Sequence, residues 1–465
     1  MAKIFRPYDL DQALLLPPDL REWLPEGHLA LFISDVVDTL DLAAIMQPYE
    51  TGEERGQPPY HPAMMVKVLL YAYCTGKPSS RKIERATHEE VPLRVLAANQ
   101  HPDHDSLAAF RKRHLPALAE LFVQVLTLCQ AAGLVALGTI ALDGTKVKAN
   151  ASKHKAMSYT RMGEAEQRLN AEVAALLAAA QQIDAVEDAQ YGRGRWGDEL
   201  PAELARRETR LATIRAAKAA LEQEAQDRAQ QAAEAGRAKL DARQQYEAET
   251  GQKPKGRPPT VPDPAQAVPA PTAQRNFTDP DSRIMKDGAT KSFEQAYNAQ
   301  AAVDGQAQII VAVAVTQEAN DKQQLVPMLG HVATNLGQWP ATASADAGYF
   351  SEANVTAPEL AAVDLYVPPD RQPHGPPPAD GSHPPPSANL IIEQMRQKLK
   401  APAGHAVYAR RKAIVEPVFG QIKEVRGFRR FSFRGLANVT AEWALICLTH
   451  NLLKLFHAGG CLRAA

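Results

Sequence analysis

Asp143 ends the apolar run TIALD and Asp346 ends ATASAD, with Gly144 and Gly348 close behind them. Singly, each is an ordinary turn or cap signal, because Asp and Gly after a β-prone run favour tight turns. Together they put two carboxylates at the ends of two short apolar strands, where an open sheet presents ligands. A third carboxylate, Glu416, stands in a different setting. The segment from Tyr408 to Gly435 holds eight basic residues, Arg410, Arg411, Lys412, Lys423, Arg426, Arg429, Arg430 and Arg434, against two acids, Glu416 and Glu424. That concentrates a local charge of +6 in a chain of net charge −1. Phe419, Phe428, Phe431 and Phe433 are interleaved with the cations, a combination suited to phosphate contact and base stacking.

At about 100° per residue, Lys412, Glu416 and Lys423 share one helical face with Tyr408. A glutamate among phosphate-binding cations weakens anion binding unless it holds a metal. The alternative is an i,i+4 pair with Lys412, worth about 0.2–0.5 kcal/mol. Pro417 removes a backbone donor and disfavours helix at Glu416, so a helix is expected to start or kink there. Two or three carboxylates facing an anionic substrate suit two hard cations, Mg²⁺ or Mn²⁺, roughly 3.5–4 Å apart. Such ions clamp the attacking and leaving oxygens of phosphoryl transfer. No zinc-like alternative is offered: His101-Pro-Asp-His-Asp105 has no partner pair at zinc spacing, and Cys74, Cys129, Cys447 and Cys461 lie far apart. The cysteines read as reduced, mostly buried thiols.

Something must position these groups. With 465 residues, 45% hydrophobic and 23% charged, the chain has material for two to four globular domains. No signal-peptide pattern opens it and no apolar run of membrane-spanning length is evident, so a soluble cytoplasmic protein is expected. Residues 1–133 read as a helical N-terminal domain. HPAMMVKVLLYAYCTG is dense enough for a buried helix stopped near Gly76, and the helix opening at Asp105 or Ser106 should end near Gly133. Arg111, Lys112 and Arg113 on that helix suit either a DNA-reading face or a solvated basic surface.

Thr139–Leu142 reads as a strand, Asp143-Gly144 as a turn and Lys146–Lys148 as a second extended piece, within a first catalytic portion over 134–157. Residues 158–250 then follow a helical period through Leu169, Val173, Leu176, Ala180 and Ile183, and again through Leu204, Leu211, Ile214 and Leu221. This predicts a two-helix, coiled-coil-like insertion, either closing on itself or reaching a second protomer or DNA. Residues 251–275 are a Pro-rich linker in which Lys255-Gly256-Arg257-Pro258 has the composition of a minor-groove strip. SFEQAYNAQAAVD, QIIVAVAVT, ATASAD and DLYVPP read as further strands and DKQQLVPMLGHVATNLG as a helix. The second catalytic portion spans 276–457, with a tail over 458–465. The pieces predict an α/β fold, a mixed sheet flanked by helices.

LDGTKVKANAS around Asp143, ADAGYFS around Asp346, and Tyr408, Arg411 or Lys412, Glu416 and Lys423 together carry a resemblance. The chain resembles transposases of bacterial insertion sequences, the DDE class, in the branch marked by a Tyr-Arg-Glu-Lys signature. The likeness covers essentially the whole chain. It implies an RNase H-like catalytic core, a metal site formed by Asp143, Asp346 and Glu416, and two Mg²⁺ ions. It further implies strand cleavage and transfer on double-stranded DNA, both transposon ends and target, by a homo-oligomer acting at the nucleoid. Tyr408, Arg411, Lys412, Lys423, Arg426, Arg429, Arg430 and Arg434, with Arg111, Lys112 and Arg113, are then the expected DNA contacts.

Overall fold

The computed structural model describes residues 19–50, 58–191, 202–254, 256–288, 291–370 and 389–459. Lys255 and Cys461 lie outside the described residues, as do most of the Pro-rich loop before α11 and the loop joining the two long helices of the insertion. Along the chain run α1 (Leu29–Thr39), α2 (Ala43–Glu50), α3 (Pro62–Cys74), α4 (Ser80–Glu89), α5 (Val91–Leu96) and α6 (His104–Ala131). Then come β1 (Thr139–Lys148), β2 (Ala156–Ser158), α7 (Tyr159–Tyr191), α8 (Ala202–Thr250), β3 (Gln274–Asn276), β4 (Arg283–Lys286), β5 (Phe293–Asp304) and β6 (Ile310–Thr316). The remainder is α9 (Leu325–Leu336), β7 (Thr342–Ser344), α10 (Glu352–Val355), β8 (Asp364–Tyr366), α11 (Leu390–Lys400), α12 (Pro402–Gly420) and α13 (Leu436–His457). Contacts divide the chain into two compact units. The first joins Met1–Val147, Asn298–Phe433 and Ala437–Ala465, and the second joins Lys148–Tyr297 and Arg434–Leu436.

In the first unit, α3 buries nearly every side chain, which its unbroken apolar content requires. Gly76 stops it at φ +73°, and a Cβ there would lie 2.7 Å from the Arg426 carbonyl, so glycine is needed for both conformation and space. Helix α6 opens one turn before the sequence-based expectation. Its cap is Asp103, whose carboxylate accepts from Ser106 N at 2.7 Å. At 28 residues α6 is long and apolar enough by composition to cross a bilayer, contrary to expectation. Its apolar residues, among them Leu107, Leu118, Leu121, Phe122, Val125 and Leu126, are instead buried in this unit. Cys74, Cys129 and Cys447 are free and buried, as the sequence predicted.

The sheet corrects the reading of Asp143-Gly144. It is no turn: β1 runs unbroken through it for ten residues. The local Asp-Gly preference is overridden by β5, which flanks β1 on one side here, whereas β7 pairs only with Thr139–Ala141 on the other. β7 and β8 add in parallel on one side of β1, and β6 pairs antiparallel with β5, giving the mixed sheet expected. Helix α13 is mostly apolar and buried without a break from Glu442 to Leu452. Its Trp443 Nε1 donates to the Gln300 carbonyl at 2.9 Å, and Asn451 grips the Ile310 peptide through two bonds of 2.8 and 2.9 Å. These bonds fix β5 and β6 against the core.

In the second unit, Met162, Ala165 and Leu169 of α7 pack on Leu211, Ile214, Ala217 and Leu221 of α8. Arg207–Glu172 and Arg215–Glu166 pairs at 2.8 and 3.1 Å flank the seam, and their order shows the helices to be antiparallel. The side chains of Ala180, Ile183 and Leu204 lie outside the described residues. Where described, the seam closes on itself. β2 and β3 pair antiparallel, Ala156 opposite Asn276, and join the insertion's two ends. β4 pairs antiparallel with Phe293–Ala296, the opening of β5.

Candidate active site

The parallel register of β1 and β7 brings the first two acids together. Ala141 pairs with Ser344, and Asp143 and Asp346 each lie two residues beyond that pair. Asp143 accepts from Gly144 N at 2.8 Å, and Asp346 caps the following turn by accepting from Gly348 N at 2.8 Å. Burial pushes the Asp143 carboxyl up to about 6, with Asp346 and Asp321 adding to the rise and Arg411 opposing it. Burial likewise raises Asp346, against the Gly348 N–H and Arg411. Lys146 is held below the usual lysine range by burial, opposed by Asp321, Asp143 and Asp346. Three carboxylates thus share one field, and one of them, Asp321, was not anticipated.

Asp321 sits in the tract between β6 and α9. Its Oδ1 accepts from Asn298 Nδ2 and Gln300 Nε2, both at 2.6 Å. Tyr349, buried and pushed well above the usual tyrosine range by burial and by Asp321, donates to Gln300 Oε1. A trace was present in the sequence: Asn298 and Gln300 alternate with alanines in the buried part of β5. Such a polar stripe on a core strand needs a partner.

Helix α12 contributes the cation. Arg411, 6% exposed, puts Nη1 3.3 Å from Asp143 Oδ2, with its guanidinium 5.9 Å from the Tyr408 ring. Lys412 faces outward. Of the two candidates for the basic position, Arg411 is therefore the one that meets the aspartates. Pro417 neither starts nor ends α12. The helix runs through it to Gly420 and continues into a π turn over Gln421–Val425. Lys423 on that turn donates to Thr145 Oγ1 and the Lys146 carbonyl at 3.0 and 3.1 Å, tying it to β1 beside Asp143. Glu416 is exposed on α12 and makes no ion pair among the described residues. Three groups of the metal-binding types do not converge to ligating range among the described residues.

Several expected DNA contacts are placed inside the protein. Arg426 is 4% exposed and donates to Thr449 Oγ1 at 2.7 Å and to the Ile446 carbonyl. Arg111 is 8% exposed and bonded to Tyr73 Oη and the Pro78 carbonyl. Phe419, Phe428 and Phe431 are core residues, so the interleaved rings do not form a stacking platform. Phe433 is half-buried, with the Arg111 guanidinium 5.0 Å from its centroid. The spacing had suggested a surface strip, but in an irregular loop alternate residues turn inward. Lys112, Arg113, Arg429, Arg430 and Arg434 are exposed. Arg429 pairs with Glu424, and Arg434 donates to the Asn150 carbonyl at 2.9 Å within the second unit. Buried Glu442 holds the loop before α13, accepting from Ser432 N and Phe433 N at 2.9 and 3.1 Å.

Residues 265–452 match the family model described as Transposase DDE domain, and residues 18–113 match one described as Transposase domain (DUF772). The chain is similar to a transposase DDE domain over the first span and to a transposase domain over the second. The DDE-domain match contains Asp321, Asp346, Arg411, Glu416 and Lys423, whereas Asp143 and the two long helices α7 and α8 fall between the two matched spans. No curated protein and no solved structure matches the chain.

Proposed function

We propose that the chain is a metal-dependent DNA transposase that cuts at transposon ends and joins the freed 3′ end to target DNA. Asp143, Asp346 and Glu416 form its acidic triad on an RNase H-like core. The observation that carries this reading is the meeting of Asp143 and Asp346, from adjacent parallel strands, in a chain with a DDE-domain match over 265–452. The donor set fits a hard cation. It is all oxygen, and the charge on two carboxyls that burial raises, with Asp321 adding to each, is what a divalent ion relieves. Arg411 supplies one positive charge at Asp143, and its buried Nε has no protein partner.

When bound, Mg²⁺ or Mn²⁺, two ions in all, would act as Lewis acids on the attacking and leaving oxygens of the scissile phosphodiester. Arg411 takes the arginine role of the Tyr-Arg-Glu-Lys signature, orienting Asp143, and Tyr408 supports the DNA beside it. Lys423 fixes the π turn against β1, so that Glu416, two turns earlier on the same face, approaches the aspartates from α12. Lys412, Arg429, Arg430, Lys112 and Arg113 receive phosphates of double-stranded DNA. Arg111 and Arg426 act instead as internal struts. Two ends and a target imply a homo-oligomer assembled on DNA.

Asp143→Asn, Asp346→Asn and Glu416→Gln are each expected to abolish Mg²⁺-dependent cleavage of an end duplex while end binding persists. Retained cleavage in any one of them removes that residue from the triad.

A further inference from the structure

Of the basic triplet Arg111, Lys112 and Arg113 on α6, the last two are exposed and the first is buried. A guanidinium inside the protein is costly unless it finds acceptors and counter-charge. Arg111 Nη1 donates to Tyr73 Oη at 3.1 Å and to the Pro78 carbonyl. Its charge lies 5.0 Å from the centroid of the Phe433 ring, whose face attracts a cation. It also acts on Glu442: burial raises that carboxyl, while the Phe433 and Ser432 amides and Arg111 oppose the rise. One side chain on α6 is thus tied to the end of α3, to α13 and to the basic loop that precedes α13.

That loop is gripped at several further points. The Tyr73 ring lies 5.4 Å from the Phe428 ring, and a Cβ on Gly76 would fall 2.7 Å from the Arg426 carbonyl. Phe431 is buried edge-on against Trp443, their centroids 6.5 Å apart. Glu442 accepts from Ser432 N and Phe433 N at 2.9 and 3.1 Å. Between the buried rings of Phe428 and Phe431 stand Arg429 and Arg430, both exposed. So short a span leaves the two arginines no freedom of their own. Whatever holds the flanking rings decides where their backbone points, because close-packed interiors transmit displacement.

We propose that Arg111 is a positioning residue for DNA binding: with Tyr73 and Glu442 it sets the loop so that Arg429 and Arg430 face a phosphate backbone, and it touches no DNA itself. This rests on the reading of Arg429 and Arg430 as phosphate contacts. It deepens that reading by giving α3 and α6 an indirect part in it. These N-terminal helices shape a DNA surface that a distant stretch of the chain supplies, and a basic triplet divides into one inward strut and two outward charges.

The test measures binding of a labelled end duplex by the full-length chain across about 50–200 mM salt, reading the slope of log affinity against log salt. Removing both arginines, Arg429→Ala with Arg430→Ala, should reduce the magnitude of that slope by about two, one for each phosphate contact. Arg111→Met, shown to be folded by circular dichroism, should reduce it by about one or more. Added to the chain that already lacks both arginines, Arg111→Met should reduce it no further. A wild-type slope in Arg111→Met means that Arg111 serves stability alone, and a further fall of about one in the combined chain means that it meets phosphate itself. Either result overturns the proposal. Should Arg111→Met not fold, Tyr73→Phe replaces it, because it keeps the ring on Phe428 and removes just the Oη that Arg111 holds. It is held to the same fall in slope and the same absence of a further fall. If the chain lacking both arginines keeps the wild-type slope, the phosphate reading of Arg429 and Arg430 is what fails, and the positioning role goes with it.

Discussion

Replacing Gly144 by alanine sets two effects of opposite sign against each other. Alanine restricts the unfolded chain, which alone stabilises by about 0.4–1 kcal/mol where the backbone accepts it. At Gly144 the added methyl would meet Asp321 Oδ1 at 2.6 Å, Asn298 Oδ1 at 2.9 Å and the Gln300 amide closer still. Asn298 and Gln300 are fully buried, and both are bonded to Asp321, so neither end can swing away freely. Forcing buried groups aside costs about 1–3 kcal/mol, and forfeiting a hydrogen bond to a carboxylate about 1.5–3 kcal/mol. The clash wins, and Gly144→Ala should lose roughly 2–4 kcal/mol, or about 3–6 °C in the melting transition of a unit this large. Gly330→Ala is the control: in the middle of α9, with nothing within 4 Å of the new Cβ, it should stabilise by about 0.5–1 kcal/mol. Differential scanning calorimetry of both variants decides the matter. A melting point for Gly144→Ala at or above wild type would show that Asp321 and its amides are not packed against this glycine.

Three further outcomes follow from the same geometry. Burial holds His450 down at about 3 against an ordinary 6.5, so the unfolded chain takes up the proton first and stability is complete above pH 6.5 and falls as pH drops towards 3. About 2 kcal/mol should be lost between pH 7 and pH 5 from this residue, and urea midpoints for wild type and His450→Gln should converge at pH 5 if the assignment holds. Arg430→Ala should lower the log–log salt slope of DNA binding by about one, whereas Arg426→Ala should leave the slope alone and cost roughly 2–4 kcal/mol of stability, because its buried acceptors lose their donor. Glu442→Ala should cost about 3 kcal/mol by stranding the Ser432 and Phe433 amides, measured by thermal melting with DNA binding tracked in parallel.

Much of this arrangement was legible from apolar patterning, because α3 and β6 are written in largely apolar stretches. Asp346 was legible just beyond a short strand, while Asp143 was picked out by the apolar run before it but lies inside β1, which continues to Lys148, rather than at a strand end. What misled was local preference. Asp143-Gly144 has the chemistry of a turn, yet the neighbouring strand β5 keeps it in β1. The phenylalanines of the basic segment looked like a stacking surface, because linear spacing does not say which side of an irregular loop faces the core. Asp321 was invisible for a different reason. Its role comes from contact with Asn298, Gln300, Gly144 and Gly348, which three different parts of the chain supply, and no local pattern encodes such a meeting. Arg411 over Lys412 was likewise undecidable until the helix phase was fixed by packing.

The proposed polynucleotidyl transfer at the paired aspartates is reached directly by a strand-joining assay. The purified full-length chain is incubated with Mg²⁺, a pre-cleaved duplex bearing a free 3′-hydroxyl at a transposon end, and a supercoiled target plasmid. Covalent joining of the labelled 3′ end to the plasmid, present in wild type and absent without metal or in Asp346→Asn, is the predicted result. Joining that proceeds undiminished in Asp346→Asn, or DNA binding with neither cleavage nor joining at any divalent-ion concentration, would contradict it.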